Sequence, residues 1–79
     1  MTLDGFDSKR SARITSVDWA ALAEDESKRL QALGVDEGAE VAIMHRGIFG
    51  TRDPIALRLG NMTIAIRRAH AAAITVEAI

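Results

Sequence analysis

Two histidines, His45 and His70, are the side chains best suited to hold a transition metal, and the chain has no cysteine to assist them. A metal site would have to join one of them to Asp53, to Met44 or to a carboxylate. A firm site needs three or four converging ligands, and none of the short ligand spacings that build a metal loop is present. His45 therefore reads as a solvent-facing residue at a strand end, and His70 as a residue of an exposed helical turn. Catalytic groupings are equally absent. Ser8, Ser11, Ser16 and Ser27 do not lie in a nucleophile elbow. The adjacent acids Asp25-Glu26 and Asp36-Glu37 make poor acid/base pairs, because sequence neighbours on a helix point apart. Gly47-Ile48-Phe49-Gly50 lacks the spacing and the Lys-Ser/Thr ending of a phosphate loop. An enzyme is not expected.

The remaining side chains of interest suit contact rather than catalysis. Arg67 and Arg68, with Arg58 and Arg52, could form a basic strip that docks an acidic patch. Ile48 and Phe49, two large apolar residues between glycines, mark either a loop tucked onto the core or a contact patch. Trp19 and Leu22 either cover one end of the core or form a groove with Leu3 and Phe6.

These residues must be carried by short elements. Ala12–Val17 is rich in β-branched residues and reads as a strand. Asp18 offers an N-cap oxygen, and Trp19, Leu22, Ala23, Leu30 and Leu33 fall at helical spacing. The spacing predicts a helix from Trp19 to Leu33 that bends or restarts near Asp25-Glu26-Ser27. Gly34 should end it in the left-handed conformation, bringing Leu30 against Val35 in a Schellman closure. Val35-Asp36-Glu37-Gly38 reads as a tight turn, with Gly38 at positive φ. Glu40–Met44 alternates as a half-buried strand, and His45–Asp53 reads as a loop. Pro54–Leu59 and Met62–Ile66 pair across a Gly60-Asn61 turn, with Met62, Ile64 and Ile66 pointing inward. A helical turn over Arg67–Ala73 precedes a last strand, Ile74–Val76. The predicted core is Ile14, Leu30, Leu33, Val41, Ile43, Leu57, Ile64, Ile66, Ile74 and Val76.

One domain over residues 1–79 is the expected organisation. The class is mostly β with one main helix, in the form of a small SH3-like β-barrel. The composition fits an ordinary solvated globule: 48% of residues are hydrophobic, but fourteen of these are alanines that bring little area to a core. The net charge of −1 and an aromatic content of 4% argue against a nucleic-acid binder, which would be strongly basic or rich in stacking platforms. No apolar run approaches the roughly 18–20 residues of a membrane span, and the first residues lack the layout of a signal peptide. The expected partner is a protein and the expected location is the cytoplasm.

The run from Lys28 to Val41 resembles the FeoA family. Arg29, Leu30, Leu33, Gly34, Val35, Gly38 and Val41 match its helix, cap and turn. Asp53 to Arg68 resembles the family's hairpin, which opens on Asp-Pro and closes on aliphatic-Ala-aliphatic-Arg. Ala69 to Val76 resembles its ending. The matching blocks cover residues 10–77. Glu37 stands where members often have proline, and Ser8-Lys9-Arg10 stands where they usually have a glycine. The same type of domain ends some iron- and manganese-dependent repressors.

What the resemblance implies is a small accessory or regulatory protein of bacterial ferrous iron uptake. It would sit at the inner membrane only through its partner, the GTP-hydrolysing ferrous iron permease (FeoB). No cofactor is implied, and any Fe2+ contact of the chain itself is expected to be weak or partner-dependent. The contact surface is expected at Arg29, Leu30 and Leu33 on the helix–turn face and at Ile48 and Phe49 in the loop. Two alternatives stay open: a nucleic-acid-associated barrel, and a regulatory module of the metal-dependent repressor type. Whether the chain forms homo-oligomers also stays open.

Overall fold

The computed structural model describes residues 1–6, 10–46 and 53–79, and only the backbone of His45 and Arg46. Ile48, Phe49 and Arg52 lie outside the described residues. A five-stranded antiparallel sheet runs in the order β4-β3-β2-β1-β5. Its strands are β1 (Ser11–Val17), β2 (Glu40–Arg46), β3 (Ile55–Leu59), β4 (Met62–Ile66) and β5 (Ile74–Ala78). The main helix, α1 (Glu24–Leu33), joins β1 to β2, and a single turn, α2 (Arg68–Ala71), joins β4 to β5. This is the mostly-β, one-helix, SH3-like architecture expected from the sequence.

The strand alternation sorts side chains as the pattern requires. Ile55, Leu57 and Leu59 of β3 are buried while Arg58 is exposed. Eight of the ten predicted core residues are buried. The other two, Leu33 and Ile64, pack on the core while partly exposed. Val35, Leu3 and Phe6 also join the core. A 3-10 turn at Leu3–Gly5 carries Leu3 inward. Leu22 is buried as well, so Leu3, Phe6 and Leu22 belong to the core and do not line an open groove, and Trp19 packs against that core while partly exposed.

Gly34 adopts φ 103°, the left-handed conformation expected of it. Its N–H donates to the Gln31 carbonyl at 3.1 Å, and the Val35 N–H donates to the Leu30 carbonyl at 2.9 Å. These two bonds define a Schellman closure, and both Leu30 and Val35 are fully buried beneath it. The following turn is set one residue later than predicted. Ala39 N–H donates to the Asp36 carbonyl at 3.1 Å, which puts Gly38, at φ 87°, at the third turn position. A type II turn needs positive φ there.

Three expectations are corrected. The segment after β1 is not one helix. A 3-10 turn at Trp19–Ala21 ends on an extended Leu22, and α1 starts at Glu24. Asp18 makes no side-chain cap; burial of Leu22 requires the chain to turn inward there, which breaks helical continuity. Secondly, β2 runs on to Arg46, pairing His45 with Ala56 and Arg46 with Ile55 past an irregularity between Ile43 and His45. The strand therefore extends two residues into the predicted loop. Thirdly, Met62 is 42% exposed, because it begins an edge strand and has a neighbouring strand on one side only.

Candidate functional site

Glu26 lies in the first turn of α1 and is only 18% exposed. Its Oε1 accepts a hydrogen bond from Arg29 Nε at 2.6 Å. Its Oε2 lies 3.2 Å from Nδ1 of His70 on α2. That distance suits an ion pair with a protonated ring but lacks hydrogen-bond alignment, so Nδ1 is buried without a hydrogen-bond partner. Arg29 also donates from its terminal nitrogen to the Ala65 carbonyl of β4 at 3.4 Å. One carboxylate thus gathers α1, α2 and, through Arg29, the edge of the sheet. His70 was expected on an exposed turn; it is instead half-buried against Glu26, because α2 packs its ring towards α1.

Asp53 plays the corresponding part at the other end of α2. Its Oδ1 accepts the backbone N–H of Arg68 at 2.9 Å, satisfying one of the amides that a helix start leaves unpaired. Its Oδ2 lies 3.8 Å from the Arg67 guanidinium. Asp53 is thus a helix anchor fifteen residues distant in sequence, a role that sequence reading did not assign to it.

The predicted contact residues separate by burial. Leu30 is fully buried and presents no surface to a partner, because it is the apolar foot of the Schellman closure. Leu33 is half-buried and packs on the core. Arg29 keeps 46% of its side-chain exposure. Ile48 and Phe49 fall outside the described residues, and so does Arg52 of the basic strip. Arg58, Arg67 and Arg68 are exposed. A shallow groove of about 400 Å³ lies where β1, the 3-10 turn at Trp19–Ala21, α2 and β5 meet; Ser16, Asp18 and Thr75 line it beside Val17, Ala21 and Ala69.

Among the described residues, no three His, Cys, Asp or Glu side chains converge as a metal site. No helix among them is long and apolar enough to cross a membrane. The assembled features are a helix–sheet polar clamp, an anchored turn and an arginine-bearing sheet face.

A family model, the FeoA domain, matches residues 1–78. The FeoA protein of Chlorobium tepidum is 30% identical, with a TM-score of 0.84; the match covers 100% of this chain and 70% of that one. The FeoA of Stenotrophomonas maltophilia, solved with zinc and described as a procaryotic SH3 domain protein, is 29% identical, with a TM-score of 0.77; 98% of this chain and 89% of that one are covered. The IdeR of T. acidophilum is similar at a TM-score of 0.79, over 100% of this chain and 34% of that one. At 19% identity that likeness concerns the fold alone. A search of curated proteins gives no match.

Proposed function

This chain belongs to the FeoA family, and we propose that it is an accessory protein of ferrous iron transport that works by binding the GTP-hydrolysing ferrous iron permease, FeoB, from the cytoplasmic side. The observation that carries this reading is the family match over residues 1–78, together with relatives of the same name near 30% identity. The role suggested for the Stenotrophomonas maltophilia protein, activation of ferrous iron transport, points the same way. A binding protein of this kind acts only through a difference in affinity for two states of its partner. Its effect on the permease is therefore a shift in population, and the chain itself need carry no chemistry.

The contact residues we assign are Arg29 and Leu33, by their exposed parts, together with Ile48 and Phe49. Iron is cargo in this reading, and the chain holds none of it tightly. One firm Fe2+ site per chain by calorimetry would contradict that part.

The test is an affinity pull-down of the tagged protein from gently solubilised, iron-limited cells, treated with nuclease and read by mass spectrometry. Enrichment of the permease that survives nuclease is the expected result. Enrichment of RNA-linked proteins that nuclease removes would overturn the reading. Phe49→Ala should reduce permease retention while the domain stays folded.

A further inference from the structure

We propose that the outer edge of β4 is a docking site for an extended segment of a partner protein, which adds to the sheet as a further strand and sets acidic side chains against Arg58 and Arg67. The inference rests on reading the chain as an interaction module and specifies how it would engage.

The sheet has two ends, β5 and β4, and they are treated differently. The free side of β5 is occupied by the chain itself: Thr2 bridges Thr75, and Val76 N–H donates to the Met1 carbonyl at 2.8 Å. No segment among the described residues does this for β4. Leu59 and Met62 flank a two-residue turn, which makes them a hydrogen-bonded pair. Alternation then turns the backbone groups of Ile64 and Ile66 towards β3, and those of Thr63 and Ala65 away from it. The Ala65 carbonyl accepts from Arg29 at 3.4 Å. Among the described residues no other hydrogen bond reaches the outward groups of Thr63 and Ala65.

Exposed edges are usually guarded by charge, proline or a bulge. Met62-Thr63-Ile64-Ala65-Ile66 has no charge and no proline, and its register with β3 runs unbroken from Leu59↔Met62 to Ile55↔Ile66. Among the described residues the one guard is Arg29, at the Ala65 carbonyl. Main-chain pairing at such an edge supplies affinity, and alternate side chains supply specificity.

Charge identifies the occupant. Arg58 lies directly across from Thr63 and is exposed. Arg67 follows β4 with 72% exposure, its nearest acid being Asp53 at 3.8 Å. Arg58 and Arg68 have no ion-pair partner among the described residues. β4 itself brings no acid. The β4 edge of a second copy would bring no acid to Arg67 at the end of β4 or to Arg58 one strand further in, whereas acidic side chains on an added strand would complement both across the same outward face. A partner strand with acidic residues on its outward face resolves this.

The probe is a capped synthetic peptide of alternating glutamate and valine, titrated into the full chain and followed by amide NMR at low salt. Shifts centred on Thr63, Ala65 and Arg58 are expected, weakening several-fold at high salt and absent with the lysine counterpart. Thr63→Pro removes an outward donor and leaves the ladder to β3 intact, so it should keep the folded spectrum and abolish these shifts. Arg58→Glu should transfer the preference to the lysine peptide. Three results would overturn the proposal: no shift at β4 at millimolar peptide, binding elsewhere on the surface, or concentration-dependent shifts at β4 without peptide, which would identify a second copy as the occupant. Failure here with successful permease capture would move the contact to another surface and leave the family reading standing.

Discussion

Leu30→Ala separates a core role from a contact role at the centre of the matching motif. Leu30 is fully buried, and its carbonyl receives the Val35 N–H that closes α1. Truncation leaves that hydrogen bond in place but removes the apolar contact under it. Emptying such a site costs about 2–5 kcal/mol, depending on how far the surroundings collapse. In a domain of this size about 1 kcal/mol moves the melting temperature by roughly 4–8 °C, so the variant should melt at least ~8 °C lower. Urea unfolding followed by circular dichroism should show a lower midpoint with an unchanged slope, since the surface exposed on unfolding is the same. The neighbouring Arg29→Ala removes a side chain that is 46% exposed and should move the midpoint much less. The packing argument is refuted if Leu30→Ala keeps the wild-type midpoint while losing its partner in a pull-down. Leu30 would then be a surface residue, and the placement of α1 on the sheet would be wrong.

Gly34→Ala should destabilise by about 1–2 kcal/mol, the cost of a Cβ in the left-handed region. The added methyl would meet only Leu59 Cδ2 at 3.8 Å, so the penalty is backbone conformation, and thermal melting measures it. Asp53→Ala should cost about 0.5–2 kcal/mol by the loss of a helix-start acceptor, while Asp53→Asn, which keeps an oxygen there, should cost less in the same melts. Glu26→Ala removes the carboxylate shared by Arg29 and His70. Amide hydrogen exchange should accelerate in α2 more than in β2 and β3, and uniform acceleration would mean that Glu26 does not tie α2 to α1.

Local chemistry was legible and long-range chemistry was not. Gly34, Gly38 and the Gly60-Asn61 turn act through their own backbone and immediate neighbours, so spacing alone placed them to within a residue. The inward set Ile55, Leu57 and Leu59 follows from a period of two. Leu22 was misplaced because a residue buried after a 3-10 turn and one on a helical stripe have the same spacing in sequence. Met62 was misplaced because alternation tells which face a residue shares, not whether a neighbouring strand covers it. The clamp of Glu26, Arg29 and His70 joins residues that periodicity treats as unrelated. The reach of Asp53 to Arg68 likewise depends on where β3 and α2 meet, which only the folded chain determines.

The same distinction bears on where a partner contact should be sought. Most of the residues that carry the family resemblance have duties the fold itself imposes. Leu30, Val35 and Val41 fill the core, Gly34, Gly38 and Gly60 take positive φ, and Asp53 anchors α2. A motif of this composition reports architecture, and the IdeR of T. acidophilum shares the fold at 19% identity. Binding specificity requires side chains and backbone groups that folding leaves unengaged. Leu30 fails that criterion, and Arg29 meets it only in part, being held by Glu26 and Ala65. Arg58 and the outward backbone of Thr63 meet it fully, although neither belongs to a turn, a cap or the core. A chain whose partner changed while its fold persisted would be expected to vary first at such positions.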